Sequence, residues 1–462
     1  MLNKSYARDA LQKAVSTGGD FAELFYEDTR SSRLSQTDDK IDTATTARIH
    51  GVGLRVYKGL RSVYVHSSNT DYSGLMKLAD AAAGAIGSVR TEGINVNLVG
   101  SVVPNIHEIK QLPMDVAGEK RAALIRRICK AIKAESSEVA HAMSSLWDWE
   151  QHVTIANTEG MFKSDVRVYS RVSATAVASK DGVNQTGSAS PGGMIGFELY
   201  ETQVDPEAIA KEAAQQAITM LHADFCPAGV MPVVIDGGFG GVIFHEACGH
   251  SLEATGVAYG NSEFCGKLGQ QIASAKVTAI DDGTIPNYWG SENIDDEGNP
   301  TTKLVLIENG ILKNYMIDRF NSRRMNMPVT GSGRRQDYTF APTSRMRNTY
   351  IASGTDDESE IIASMGDGLY AKKMGGGSVN PITGEFNFAV GEGYLVKDGK
   401  IDRPVRGATL IGKGGQTIMK IDRVGKKMWM AQGMCGSMSG SVPTNVGQPM
   451  IRVTEMTVGG RK

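Results

Sequence analysis

From residue 235 onward glycine interrupts the chain so often that a single stretch, residues 240–254, reads as a helix among strands and turns. Glycine gives up more backbone freedom on folding than any other residue, and in return it admits tight turns and close backbone approach. With 54 glycines in 462 residues, above the ~7% norm, the chain is expected to be turn-rich where they concentrate. A mainly β C-terminal domain carrying one helix follows.

Upstream the pattern differs. Residues 5–17 place Ala7, Leu11 and Ala14 on one helical face, closed by Gly18-Gly19. Residues 21–26 read as extended, and residues 51–57 and 61–65 as a hairpin around Lys58-Gly59-Leu60. Helical spacing resumes over 71–86 and again over 115–136, separated by a connection at 95–113. Strand-like runs follow at 140–149, 152–155 and 166–178, with Asn157-Thr158-Glu159-Gly160 as a turn. Asp205-Pro206 opens a further helix to about residue 222, proline suiting the first helical position. Composition then shifts at Cys226-Pro227-Ala228-Gly229. A chain of this length is expected to divide into two or three domains. The fold class expected is α+β: an N-terminal α/β sandwich of helices on antiparallel strands (1–95), a middle α+β domain (96–226), and a glycine-rich, mainly β domain (227–462) carrying one helix.

Composition excludes some functions. Net charge is -2, from 49 basic and 51 acidic residues, which gives no electrostatic case for direct nucleic-acid binding. Apolar runs fall far short of the ~20 residues that span a bilayer, and the N-terminus has no apolar signal core, so no membrane or secretory role is expected. The five cysteines are odd in number and widely spaced, which suits a reducing cytoplasm.

The chemistry concentrates in His245-Glu246-Ala247-Cys248-Gly249-His250. Histidines four residues apart lie about 40° apart around an α-helix and converge on one ion; the spacing of five here gives about 140° and divergence. A single π-type turn, pairing residue i with i+5, restores convergence. Gly249 is the residue expected to tolerate that distortion. Glu246, beside a ligand, is placed to act as general base toward a metal-activated water. Spacing leaves other donor sets open: His245 with Cys248 at i, i+3 is geometrically easier, and Glu253 is a further oxygen donor. The two histidines are equally readable as ordinary core and surface residues.

The surroundings of this hexamer resemble the TldD branch of the TldD/PmbA family of metallopeptidases. The similarity is carried by GVIFHEACGHSLEA at 241–254, PTSRMRNTY at 342–350, GEFNFAVGEGY at 384–394, RPVRGATLIG at 403–412, MCG at 434–436 and SVPTNVGQP at 441–449. DFAELFYED at 20–28 and GVGLRV at 51–56 also fit, so it covers nearly the whole chain. The resemblance implies His245, His250 and Cys435 as ligands of one Zn2+ per chain, Glu246 as the catalytic residue, and Cys248 as a buried neighbour. Gly436 is expected to let Cys435 approach the helix. Ser344 departs from a common proline, and Ser437-Met438-Ser439 from a more charged stretch. The family further implies a cytoplasmic peptidase of unfolded or extended peptides, working as a homodimer or a heterodimer with a PmbA/TldE-like chain. Peptide binding suits the glycine-rich sheet, where Gly375-Gly376-Gly377 reads as a site of close backbone approach or as a mobile turn. The alternative function is a non-enzymatic regulator acting on a gyrase-related partner.

Overall fold

A computed structural model describes residues 2–89, 94–380 and 382–461. Helix α1 (Lys4–Ala14) starts at Asn3, whose side-chain oxygen accepts the N–H groups of Ser5 and Tyr6, and it buries Ala7, Ala10, Leu11 and Ala14. It ends before residues 15–17, which turn instead, and Gly18 takes the left-handed conformation (φ 93°) that redirects the chain.

Strands β1 (Phe21–Thr37), β2 (Lys40–Lys58) and β3 (Arg61–Ser67) pair antiparallel, with Gly59-Leu60 as the tight turn between β2 and β3. Helix α2 (Tyr72–Ile86) is capped by Asp71, which accepts the Gly74 N–H. A short strand, β4 (Val99–Ser101), lies within the expected connection and pairs with the later strand 161–180. Helix α3 (Gly118–Glu135) follows, then β5 (Val139–Asn157) and β6 (Met161–Lys180). A short helix α4 (Leu199–Thr202) precedes α5 (Pro206–Leu221), which Asp205 caps with proline in the first turn.

The runs expected at 140–149 and 152–155 are one strand. Glu150-Gln151 interrupts the apolar alternation, but Gln151 is buried and donates to Glu27 Oε1 at 3.0 Å, so this polar side chain is paired within the sheet. Strand β1 pairs with β2 on one side and with β5 on the other, giving the order β3-β2-β1-β5-β6-β4. One sheet thus runs across residue 95, while its apolar cores stay separate. Leu11, Leu54 and Ile86 belong to one core; Ile125, Leu146, Val172 and Ala213 belong to another.

The C-terminal half is mainly β, as its glycines require. Strands Gly229–Ile235, Ile451–Gly459, Thr409–Lys413, Glu385–Lys397 and Gly368–Val379 pair in succession, and the last pairs back onto the first, closing a ring. A second sheet of six strands runs from Ile311–Leu312 to an edge strand, Trp429–Ser437, which is paired on one side with Gly440–Gln448. Val233, Phe388 and Val453 of the ring, Leu306 and Ile351 of the second sheet, and Phe244, Ala247 and Leu252 of the helical segment share one core. The fold class is therefore mixed α and β. Among the described residues no helix is long and apolar enough to cross a membrane.

Where the N-terminal sheet meets the C-terminal loops, charges are buried in quantity. Glu292 accepts hydrogen bonds from Arg334 (3.1 Å) and Arg347 (3.2 Å), with Arg167 at 3.4 Å. Arg167 also binds Asp296 at 2.7 Å, and Arg335 binds Glu23 at 3.1 Å. Burial alone would raise the pKa of Glu292, but Arg167, Arg334 and Arg347 outweigh it and hold it at about 2.

Candidate metal centre

The strand Gly229–Ile235 delivers the chain into a glycine turn before the helical segment. A Cβ on Gly241 would lie 2.4 Å from the backbone of Gly447, so glycine here lets the segment rest directly on the strand Gly440–Gln448. The expected helix over 240–254 is not continuous, and residues 240–241 belong to the glycine turn before it. Val242–Phe244 is α-helical, His245–Gly249 is a π turn, and His250–Leu252 tightens to a 3-10 turn. Glu253 is extended (φ -73°, ψ 129°).

The π turn is closed by the His250 N–H donating to the carbonyl of His245, five residues back. That hydrogen bond brings the second imidazole over the first, with ring centroids 4.9 Å apart and planes at 85°. Gly249 contributes differently from expectation. Its backbone is ordinary right-handed helix (φ -54°, ψ -54°), so no special freedom is used. A Cβ there would instead sit 2.3 Å from the Met346 sulfur: the glycine makes room for Met346.

Cys435 reaches the histidines from the edge strand Trp429–Ser437, in register with Val442 on the neighbouring strand. Its Sγ lies 3.3 Å from His245 Nε2 and 3.4 Å from His250 Nε2. Metal bonds of ~2.0–2.3 Å in tetrahedral geometry separate ligand atoms by about 3.3–3.6 Å, so the sulfur stands from each nitrogen at the spacing a single ion requires. Among the described residues these three are the set whose donor atoms converge, all within 4.8 Å of one another. Burial works to raise the Cys435 thiol pKa, but the adjacent imidazoles outweigh it and hold the pKa well below the usual thiol range, favouring the thiolate that binds metals. Gly436 is not needed for this approach, since a Cβ there meets nothing within 4 Å.

Cys248 takes no part. It is fully buried in the C-terminal core, and burial, with Glu263 nearby, pushes its thiol well above the usual range. Glu246 lines the open cleft with the three donors, its Oε2 3.7 Å from His250 Nε2. Glu253, read from spacing only as an oxygen donor, accepts or shares a hydrogen bond at His250 Nδ1 (3.1 Å), on the side of the ring away from Cys435. Arg345, to which the sequence assigns no role, is fully buried beside it. The signal available was its place in a run where two arginines alternate with Met346 and yet sit amid buried residues.

The cleft holds about 660 Å³ and is walled by the strand Trp429–Ser437 on one side and by Gly376, Gly377 and Ser378 on another. Gly375-Gly376-Gly377 is therefore not a turn but part of the strand Gly368–Val379, with a bulge where its register to Glu385–Lys397 shifts. Met438 stands at the tip of the hairpin, largely exposed at the cleft.

The sequence matches models of metallopeptidase domains along most of its length: PmbA/TldA metallopeptidase domain 1 over residues 22–86, the central domain over 112–221 and the C-terminal domain over 228–460. A metalloprotease TldD homolog of Haemophilus influenzae is 36% identical over 96% of this chain and 93% of its own. The chain belongs to the PmbA/TldD metallopeptidase family. Two solved structures share its fold. One is a Thermotoga maritima protein described as a candidate modulator of a DNA gyrase (TM-score 0.80, 22% identity, 99% of this chain and 100% of that one). The other is TldE from Thermococcus kodakarensis (TM-score 0.75, 19% identity, 98% and 100%).

Proposed function

We propose that the protein is a zinc-dependent peptidase of unfolded or extended peptides, with His245, His250 and Cys435 as metal ligands and Glu246 as general base. The observation that carries this reading is the convergence of two imidazole nitrogens and one sulfur beside a carboxylate, at the wall of an open cleft. Two imidazoles and a thiolate suit zinc among the common divalent ions. Zinc held by these residues supplies Lewis acidity, lowering the pKa of water toward ~7 and polarising a peptide carbonyl. Glu246 carries the proton, taking it at its carboxylate from the attacking water and returning it to the departing amine. The π turn fixes that carboxylate on the same side as the His250 Nε2 face.

The place of the strand Trp429–Ser437 at the edge of its sheet, along the cleft, supports an extended substrate laid beside it, although the carbonyls of Gln432, Gly433 and Cys435 already accept side-chain N–H groups. Across the cleft, Gly376 and Gly377 present no side chain to such a backbone. For partners we propose a second copy or a TldE-like chain, the latter supported by the likeness of fold to TldE. Five free cysteines, one of them a proposed ligand, support the reducing cytoplasm as the compartment.

The test uses purified protein and an unstructured peptide. Glu246→Gln should lower kcat by about 10²- to 10⁴-fold while elemental analysis shows its zinc content unchanged. Undiminished cleavage by that variant would remove Glu246 from the reaction, and zinc retained by Cys435→Ser would remove the proposed third ligand.

A further inference from the structure

The two histidines of the centre are held unequally. His245 Nδ1 is buried without a hydrogen-bond partner, so beyond its Nε2 contact with Cys435 only packing orients that ring. His250 Nδ1 lies 3.1 Å from Glu253 Oε2. A carboxylate at Nδ1 accepts the proton-bearing nitrogen's hydrogen bond, so with an ion present this contact would keep the ring proton on Nδ1 and leave Nε2, on the Cys435 side, free to ligate.

Glu253 is placed for this by the end of the helical segment. The chain turns extended at Glu253, whose N–H still donates to the His250 carbonyl (3.3 Å), and Ala254 N–H is tied to the Met316 carbonyl at 2.8 Å. The carboxylate is thereby folded back under the ring, 4% exposed. Its second oxygen, Oε1, accepts no hydrogen bond and faces Arg345 Nε across 3.9 Å. Arg345 spends its other N–H groups on the hairpin that carries Cys435. Nη1 donates to Ser439 Oγ (2.9 Å) and the Gly440 carbonyl (2.8 Å), and Nη2 donates to the Cys435 carbonyl itself. One buried guanidinium therefore touches the backbone of one proposed ligand and faces the carboxylate that orients another, although the two lie 185 residues apart.

We infer that Glu253 and Arg345 are positioning residues of the metal centre, a carboxylate–guanidinium brace that sets the tautomer and angle of His250 and locks the Cys435 hairpin to it. The brace rests on the reading of His245, His250 and Cys435 as ligands. Outer hydrogen-bond partners of this kind govern how tightly a site holds its ion, because a ligand left free to turn must be ordered anew on each binding event.

Two variants separate reach from charge. Glu253→Gln keeps the shape and a neutral acceptor but removes the charge facing Arg345; Glu253→Asp keeps the charge but withdraws it from Nδ1 by one methylene. Zinc affinity is measured on the full chain by competition with a chromophoric chelator, alongside the absorption spectrum of the cobalt(II) form and the melt of the metal-free protein. Both variants should hold zinc about 10- to 100-fold more weakly than the parent. Their metal-free melts should match the parent's, and the cobalt d–d bands should shift while the thiolate charge-transfer band persists. Glu253→Gln binding zinc within twofold of the parent overturns the brace alone, and if that variant does not fold, Glu253→Asp decides by the same threshold. A parent chain that binds no zinc overturns the brace together with the metal-site reading.

Discussion

Two clusters of buried polar groups in this molecule look alike in composition and differ in how they are closed. At the junction of the N-terminal sheet with the C-terminal loops, Glu292, Asp296 and Glu23 meet Arg167, Arg334, Arg335 and Arg347, and each carboxylate has a guanidinium within bonding distance. At the candidate centre, His245, His250 and Cys435 aim their donor atoms at one another, with no lysine or arginine among the three. A network in which each carboxylate meets a guanidinium serves the fold as built, even where single atoms such as Glu23 Oε2 and Arg335 Nε find no partner. A set of donors that share one focus is complete only with something at that focus. Burial alone does not separate the two; the direction of the lone pairs does.

The largest expected effect tests the junction. Glu292→Gln leaves three buried guanidinium groups short of their shared counter-charge and should cost about 3–5 kcal/mol in denaturant unfolding. Cys435→Ser, in metal-free protein, should stay within about 1 kcal/mol, as befits a residue whose partners are ligands rather than folding contacts. Equal losses in the two variants would erase the distinction between the clusters. Next in size is the ion itself. Zinc at a thousandfold excess over its dissociation constant should stabilise the parent by about 4 kcal/mol, read as a shift in the thermal melt, and should leave Cys435→Ser largely unmoved.

Smaller again is Gly249→Ala, which drives a methyl to 2.3 Å from the Met346 sulfur and should cost about 1–3 kcal/mol. Adding Met346→Ala should relieve the clash; if it does not, the glycine is needed for its backbone after all. The smallest effect is a pH slope. Burial holds the His107 pKa at about 4 against an ordinary 6.5, and its Nδ1 accepts the Asn287 N–H at 3.0 Å, which needs the neutral ring. A depressed folded-state pKa gives stability that is full above pH 6.5 and lost as pH falls toward 4, because the unfolded chain takes up the proton first. Melts across that window should flatten in His107→Gln. An unchanged slope would move the acid sensitivity from the junction to the metal centre.

Local features of the fold were legible in the sequence where local physics decides them. The Gly59-Leu60 turn, the Asp205-Pro206 helix start and the β-rich character after residue 235 each follow from backbone preferences of a few residues. Strand lengths were not legible, because Gln151 looks like a break until Glu27, 124 positions away, is seen to pair with it. At the site, the need for a π turn followed from the spacing of His245 and His250, since a regular helix sets them apart. The reason for Gly249 did not, because Met346 reaches it from a distant loop, between the strands Thr343–Ser344 and Asn348–Ile351. Cys435 entered through resemblance alone; an isolated cysteine on an edge strand carries no signal of where its sulfur points. Glu253 was visible as an acid three residues past His250, but which ring nitrogen it meets depends on the helix ending at Leu252.

The edge strand that brings Cys435 to the histidines also sets an order in time. During synthesis the helical segment emerges long before Trp429–Ser437, and that strand gains its place only when Gly440–Gln448 is laid beside it. The ring, too, needs the last strand of the chain, Ile451–Gly459, which lies between Gly229–Ile235 and Thr409–Lys413. A half-made chain thus carries two histidines and a glutamate without the sulfur that completes the set. For a molecule whose proposed substrate is unfolded polypeptide, the proposed ligand set is thus whole only in a chain made almost to its last strands.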